Sequence, residues 1–273
     1  MSKIISIINQ KGGVGKTTTC INLAVSLVKM GKKVLAVDLD SQANMTMGFG
    51  YANPDEIPIK LADLLQAEIS KRMGGQAHAG MFGNKEDFIL TAHGVDFIPS
   101  SLDLASLELV LMNTTARETV LKSFLARFQD EYDVILIDCL PSLGIFTVNA
   151  LTASNEIIIP VQAQFFGAKG VEAIMQSVAS AQTYLNPGLK VLGILITMLD
   201  GRSTFQKEVG KIVTDSYMDY THIFETCVPL SVEVSKQQSQ GLPIVALKSN
   251  KVSAAYSRFA EEVMKCGEGT GHE

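Results

Sequence analysis

The sequence of 273 residues is poor in the side chains that metal sites and disulfide frameworks need. Its four cysteines are far apart and form no C-x-x-C pair, and no two of its four histidines have the spacing of a metal-binding helix or turn. The pattern therefore predicts reduced thiols, and neither a disulfide framework nor a zinc site. These residues are Cys20, Cys139, Cys227, Cys266, His78, His93, His222 and His272.

Long apolar runs are also missing. No run approaches the roughly 18 to 20 residues that a membrane-spanning helix requires. The first residues, Met1-Ser2-Lys3, lead directly into a predicted strand instead of a signal peptide. We therefore expect a cytoplasmic protein with no membrane partner.

Positive charge is not in excess. The net charge is −5 and the pI is about 5.5, so the chain as a whole is not electrostatically suited to nucleic acid. Any DNA binding has to come from a local patch, and such binding would associate the protein with the nucleoid.

Apolar, β-branched runs alternate with helical patterns along the chain, and 47% of the residues are hydrophobic. This alternation predicts an α/β fold, a single-domain, mostly parallel twisted sheet of about seven to eight strands with helices on both faces. Strands are predicted at 3–9, 33–39, 88–91, 95–99, 134–138, 156–161, 189–199 and 223–227. Helices are predicted at 16–30, 102–112, 117–128, 144–153, 167–184, 205–217 and 252–264.

The domain is expected to span residues 1–266 and to contain a flexible insertion at about 68–87, because 74–84 is glycine-rich and lacks periodicity. Residues 267–273 are predicted to be a disordered tail.

The segment Q-K-G-G-V-G-K-T-T at 10–18 joins the first predicted strand to the first predicted helix. Glycines let successive backbone N–H groups point at a polyphosphate, and the following helix directs its positive end toward the same place. The segment therefore predicts a nucleotide phosphate site. Lys16 reaches the terminal phosphates in this interpretation, and the Thr17 hydroxyl coordinates Mg²⁺. The alternative is a simple glycine turn with two solvated lysines.

Carboxylates follow two other predicted strands. Asp38 and Asp40 share one face where the second strand ends, and Asp138 follows four apolar residues in a Walker-B-like pattern. In an open parallel sheet the carboxyl ends of the strands form the ligand crevice, so these side chains and Asn9 are expected to converge. Asp138 can hold a magnesium-bound water. The alternative for Asp38 and Asp40 is that they cap the next helix.

Together these motifs resemble the ParA/Soj-type partition ATPases, in the ParA/MinD group of deviant Walker A P-loop ATPases. The resemblance runs from about residue 3 to 264 and is weakest at 68–87. It implies that the loop residues bind ATP, that Lys11 reaches the nucleotide of a partner subunit, and that Asp40 both orients the attacking water and contributes to the metal site. The loop residues are Lys11, Gly12, Gly13, Val14, Gly15, Lys16, Thr17 and Thr18.

The resemblance also implies a homodimer in the ATP state, slow ATP hydrolysis and stimulation by a ParB-like centromere-binding protein. It places Thr197 and Pro229 near the adenine, although an ordinary strand end and turn explain both residues equally well. The chain departs from the family pattern at three positions: Ser41 replaces proline, Ala43 replaces glycine and Leu140 replaces proline.

DNA binding is where the chain differs most from this family. At two positions after the final core strand where the family carries arginine, this chain has Leu230 and Glu233. The remaining candidate DNA contacts are Arg202, Lys236 and Lys251, and we expect weak, ATP-dependent, sequence-independent binding. The alternative is a solvated surface of mixed charge.

Three other functional classes would leave different signals. A MinD-like, membrane-cycling regulator needs a basic amphipathic helix at the C-terminus, whereas the last predicted helix carries balanced charge. An electron carrier resembling nitrogenase reductase needs cysteines that ligate a cluster jointly, which this spacing does not offer. A P-loop metabolic ligase or kinase would be revealed by a phosphorylated small-molecule product.

Overall fold

The structure is a computed structural model that describes residues 2–74, 84–162, 167–200, 208, 211, 214–218, 221–247 and 250–268. Within this part of the chain, seven strands form one sheet, and their bounds are β1 Lys3–Ile7, β2 Val34–Leu39, β3 Leu90–Ala92, β4 Val95–Ile98, β5 Val134–Cys139, β6 Glu156–Gln162 and β7 Lys190–Thr197. Their order is β3-β4-β2-β5-β1-β6-β7. All neighbours pair in parallel except β3 and β4. The predicted single-domain α/β fold is confirmed.

Helices cover both faces of this sheet. The α-helices are α1 Lys16–Lys29, α2 Asn44–Gly48, α3 Leu61–Arg72, α4 Asp103–Met112, α5 Val120–Leu125, α6 Ile145–Ala153, α7 Gly167–Tyr184, α8 Val232–Gln238 and α9 Lys251–Glu268. Residues from α3 to α7 form one hydrophobic core against the sheet, and residues of α1, α2 and α9 form the other. No helix in the described residues is long and apolar enough to cross a membrane.

The central strands are short apolar runs because both of their faces are covered. Every residue of β2 and of β5 is buried. Helix α9 shows the complementary pattern, because its apolar stripe is fully buried against the sheet and α1. The residues of that stripe are Val252, Ala255, Tyr256, Phe259, Ala260 and Val263.

The strand predicted at 223–227 is not formed. This segment follows the edge of β7 through only two isolated parallel bridges, Ile194 with Ile223 and Leu199 with Pro229. Between the bridges, the backbone N–H groups of residues 225 and 226 donate to the carboxylate of Glu262 on α9. A side chain therefore takes the hydrogen bonds that a sheet ladder would need.

Several predicted boundaries also differ from the structure. The predicted helix at 117–128 is a short α-helix flanked by two 3₁₀ turns. The insertion predicted at 68–87 begins inside α3, where Glu68 is buried and pairs with Arg127 at 3.0 Å. Residues 75–83 and most of the predicted helix at 205–217 lie outside the described residues. Helix α9 continues two residues into the predicted tail, and 269–273 also lie outside.

Candidate functional site

The carboxyl ends of the central strands meet at one edge of the sheet. In the parallel register, Asp138 lies beside Ile7 on one side and beside Asp38 on the other. A cleft of about 700 Å³ opens at this edge. It is lined by Gly12, Gly13, Gly15, Lys16, Thr17, Thr18, Asp40, Asn44, Met47, Gly48, Gly50, Ala52, Pro141, Met198, Gln238, Ser239, Gln240 and Gly241. The predicted phosphate loop and Asp40 therefore face one space.

The phosphate loop connects β1 to α1 in a conformation that glycine favours. Gly13 and Gly15 adopt φ values of 74° and 88°, in the left-handed region where other residues are strained. Asn9 fixes the start of the loop, because its side-chain oxygen accepts from the Lys11 N–H at 2.9 Å. Its side-chain nitrogen donates to the Pro160 carbonyl at 2.7 Å. The loop is thereby attached to β6.

Lys16 is held inside the loop. Its side chain is only 7% exposed, and Nζ donates to the Lys11 carbonyl at 3.2 Å. Burial lowers the pKa of Lys16, while the charges of Asp138 and Asp40 act in the opposite direction. A cation that water solvates poorly is well suited to bind a polyanion that enters the cleft.

The two residues predicted to lie near the adenine have different surroundings. Thr197 is buried at the end of β7, and its hydroxyl donates to the Val14 carbonyl at 2.8 Å, which ties the loop to this strand. Pro229 lines a second cavity, of about 370 Å³, together with Leu199, Cys227, Lys251, Ala254 and Arg258. Met198, which directly follows Thr197, is the residue of this region that lines the first cleft.

Asp38 is buried, and both of its carboxylate oxygens accept hydrogen bonds from the protein. One carboxylate oxygen accepts from the Thr46 N–H at 2.9 Å and from the Thr46 hydroxyl at 2.7 Å. The other accepts from the Asp40 N–H at 3.3 Å. Burial raises the pKa of Asp38 to about 7, although these hydrogen bonds oppose the rise. Asp38 thus holds the turn that follows β2 against the start of α2.

Asp138 is equally buried, but neither of its carboxylate oxygens has a hydrogen-bond partner in the described structure. Burial, followed by the neighbouring charge of Asp38, raises the pKa of Asp138 well above its usual range. The Thr17 hydroxyl and the Lys16 charge act in the opposite direction. A buried carboxylate without a partner calls for a cation or an ordered water.

Asp40 is positioned by the turn that it begins. Its side chain lines the cleft, and one carboxylate oxygen accepts from the Gln42 N–H at 3.0 Å. Ala43 closes this turn with a φ of 52°, in the left-handed region that glycine adopts more readily. The alanine that replaces the family's glycine therefore retains a glycine-like backbone.

Oxygen donors of the kind that Mg²⁺ prefers are present at this edge. The described residues contain no group of three or more His, Cys, Asp or Glu side chains that could hold a metal by themselves. Mg²⁺ keeps several waters and binds through one or two carboxylates plus substrate phosphates, so a dense protein cage is not required. The orphaned Asp138, together with Asp40 and Thr17, fits such a metal.

One wall of the cleft was not predicted from the sequence. The end of α8 and residues 239–241 line it, and the Gln238 side-chain nitrogen donates to the Thr18 hydroxyl at 2.8 Å. A Cβ atom on Gly241 would lie 2.4 Å from the Gly50 Cα, so the two walls touch through glycine backbones. The only signal for this wall in the sequence is Gly241, which lies far from the phosphate loop along the chain.

The candidate DNA contacts do not form one described patch. Lys236 is exposed on α8, and Lys251 is the first residue of α9, where it lines the second cavity with Arg258. Arg202 lies outside the described residues.

Sequence comparisons with known proteins agree on partitioning ATPases, whereas the similar solved structures include other classes of protein. The sequence model of a family described as an AAA domain matches residues 2–191. The chain is 40% identical over 265 residues to the chromosome-partitioning ATPase Soj of Treponema pallidum, covering 97% of this chain and 98% of that protein. It is 37% identical over 274 residues to the sporulation initiation inhibitor protein Soj of Bacillus subtilis, covering 98% and 100%. Among solved structures, the cobyrinic acid a,c-diamide synthase from Mycobacterium smegmatis with bound ATP analogue and magnesium aligns with a TM-score of 0.81 at 30% identity, covering 98% and 97%.

Proposed function

The chain belongs to the Soj/ParA family of partitioning ATPases, and we propose that it acts as an ATP-dependent dimerising switch in DNA segregation. It is an ATPase whose cofactors are ATP and Mg²⁺. The segregated cargo is a chromosome, a plasmid or a mobile element, and the ATP-bound form is a homodimer.

The observation that carries the proposal is similarity over the full length. The relatives named for chromosome partitioning match 96% or more of this chain, including the C-terminal elements beyond the P-loop core. The cleft adds a physical reason, because a phosphate loop, a buried lysine and the Asp40 carboxylate face the same space.

Each side chain of the cleft has a proposed role in binding. The backbone of the loop and Lys16 hold the phosphates, and charge neutralisation by Lys16 contributes most to affinity. The carboxylate of Asp138, with Thr17 and Asp40, holds Mg²⁺, which neutralises charge on the phosphates when bound. Thr197 acts indirectly, since its hydroxyl fixes the Val14 carbonyl of the loop. Pro229 is proposed to lie near the adenine.

Two residues carry the switch. Asp40 faces the cleft from a rigid turn and orients the water that attacks the terminal phosphate. Lys11 stands at the mouth of the loop and, in the dimer, neutralises charge on the nucleotide of the partner subunit. Hydrolysis then removes the charge that Lys11 binds, and the dimer separates.

Partners complete the cycle. We propose that a ParB-like centromere-binding protein stimulates hydrolysis, and that the ATP dimer binds DNA weakly and without sequence preference in the cytoplasm. Lys236 and Lys251 are the described candidates for DNA contact, and Arg202 is a third. On the order of two to four phosphate contacts per subunit would make this binding strongly salt-dependent.

The test measures the mass of the protein by size-exclusion chromatography with light scattering, with ATP, with ADP and without nucleotide. We expect a dimer only with ATP. Asp40→Ala should accumulate the ATP dimer because it binds ATP but hydrolyses it at least about 100-fold more slowly. Lys16→Ala should not bind ATP, whereas Lys11→Ala should bind ATP and remain monomeric.

Two results would contradict the proposal. An ATP-dependent dimer of Lys11→Ala with normal turnover would remove the role of Lys11, and sustained hydrolysis by Asp40→Ala would remove the role of Asp40. The same samples, mixed with duplex DNA of random sequence, should elute together with DNA only in ATP and only below roughly physiological salt. Consumption of ATP that depends on a small molecule, with a phosphorylated product, would support the alternative of a metabolic enzyme.

A further inference from the structure

The end of α8 and the segment that follows it are docked along α1. The Gln238 side chain donates to the Thr18 hydroxyl at 2.8 Å, and the Asn22 side-chain nitrogen donates to the Thr18 carbonyl at 2.8 Å. The Asn22 side-chain oxygen accepts from the Val245 N–H at 3.1 Å, and Lys29 donates to the Val245 carbonyl. Three of these hydrogen bonds therefore join residues about 220 positions apart in the sequence. Thr18, the last residue of the phosphate loop, takes part in two of the four.

The chemistry of the Gln238 contact gives it a direction. A hydroxyl has one hydrogen to donate and two lone pairs to accept with, whereas an amide nitrogen only donates. Because the Gln238 nitrogen occupies a lone pair of Thr18, the single hydrogen of Thr18 is left for another acceptor. Both residues line the phosphate cleft, where a nucleotide brings phosphate oxygens that can only accept.

We propose that Gln238 is a positioning residue for the nucleotide, because it holds the Thr18 hydroxyl as a hydrogen-bond donor toward a phosphate oxygen. The effect is cooperative, since a hydroxyl that accepts one hydrogen bond donates a stronger one. The contact serves ATP and ADP alike, as Thr18 is not among the residues proposed for the terminal phosphate or the metal. This inference requires nucleotide binding but neither dimerisation nor DNA segregation, so its failure leaves the proposed function untouched.

The geometry of the cleft supports a fixed position for Gln238. Gly241 and Gly50 are in backbone contact, so the residues after α8 cannot move closer to Gly50 without displacing the opposite wall. The helix itself is capped, with the Ser231 hydroxyl accepting from the Glu233 N–H at 3.3 Å. The Gln238 side chain is thus carried by an anchored element.

The test measures dissociation constants of ATP and ADP by isothermal titration calorimetry. Gln238→Ala should raise both constants about 3- to 10-fold, the range expected for one hydrogen bond, while turnover at saturating ATP stays within about twofold. Gln238→Glu should raise them further, because a carboxylate accepts the Thr18 hydrogen and adds negative charge beside the phosphates. Ser235→Ala, an exposed change on the same helix, should alter neither constant.

A double-mutant cycle separates this role from simple packing. In a Thr18→Val background, Gln238→Ala should cause almost no further loss, because the hydroxyl through which it acts is gone. Equal losses in both backgrounds, unchanged constants, or tighter binding by Gln238→Ala would each overturn the proposal. If Gln238→Ala fails to fold, Gln238→Asn, which keeps the amide on a side chain one methylene shorter, provides the same measurement.

Discussion

Asp38 and Asp138 sit side by side at the ends of β2 and β5, yet the protein treats them differently. They are register partners on adjacent parallel strands, and both are fully buried. Asp38 accepts three hydrogen bonds, from the Thr46 N–H, the Thr46 hydroxyl and the Asp40 N–H. Asp138 accepts none in the described structure.

This difference is the reason for assigning Asp38 a structural role and for proposing Asp138 as a metal ligand. Asp38 is satisfied from within, so its contribution is to hold the turn that carries Asp40. The charged form of Asp138 is offset only in part by Lys16 and the Thr17 hydroxyl, so its burial is costly unless a ligand brings a cation. Two residues with the same burial and the same register can thus be assigned opposite roles from their partners alone.

Removing the Asp38 carboxylate should have the largest effect on folding. Asp38→Ala leaves two buried Thr46 donors without an acceptor, so we expect the free energy of unfolding to fall by about 2–4 kcal/mol. Urea denaturation measures it. Asp38→Asn, which keeps an acceptor oxygen, is the matched control and should lose less. Unchanged stability in Asp38→Ala would mean that Asp38 does not organise the turn.

The corresponding change at Asp138 should affect catalysis and spare folding. Asp138→Asn removes the charge but keeps the shape, so we expect turnover at limiting Mg²⁺ to fall about 10- to 100-fold. Without Mg²⁺ and nucleotide, its urea midpoint should be no lower than that of the unaltered protein, because a buried charge that is only partly offset is removed. Normal turnover of Asp138→Asn at every Mg²⁺ concentration would contradict the different roles assigned to the two carboxylates.

Thr46→Val tests the hydrogen bonds of Asp38 at a single hydroxyl group. The Thr46 hydroxyl donates to Asp38 and accepts from the Ser100 N–H at 3.1 Å, so its loss leaves both groups short of a partner. We expect a decrease of about 1–2 kcal/mol in the free energy of unfolding. Ser41→Ala, on the same turn, should change stability by less than about 0.5 kcal/mol. A loss of the same size in both variants would count against the Asp38 network.

A further prediction concerns pH. The pKa of Asp38 is raised to about 7 in the folded chain, so the folded state binds this proton more tightly than the unfolded state does. Stability from this group is complete below the unfolded pKa and is lost as pH rises through the folded value. Without nucleotide and metal, the melting temperature should therefore fall between about pH 5 and about pH 8. A slope unchanged in Asp38→Asn would assign the proton to another group.

The sequence was enough to predict most of the sheet and the phosphate side of the site. Apolar runs that end in polar residues are local signals, and they correctly located β1, β2 and β5 together with the loop at their edge. The predicted strand at 223–227 was wrong because the outcome depended on Glu262, a side chain from a distant helix. No local pattern reports that competition.

The far wall of the cleft escaped prediction for a related reason. Helix α2 spans five residues and α8 seven, which is too short for a periodic pattern to stand out. Helix α3 was missed although it is longer, because its residues were partly assigned to a flexible insertion. The Gln238 contact with Thr18 depends on packing across some 220 residues, and only the folded chain shows it.

The two edges of the sheet affect how readily the protein aggregates at high concentration. One edge is β3, an antiparallel strand of only three residues. Along the other, β7 is flanked by the segment that bridges it at Ile223 and Pro229, and a proline offers no N–H to a new strand. Short or covered edges resist strand addition, the first step of amyloid-like aggregation. Within the described residues, both edges of the sheet are therefore poor templates for irreversible assembly, even at high local concentration.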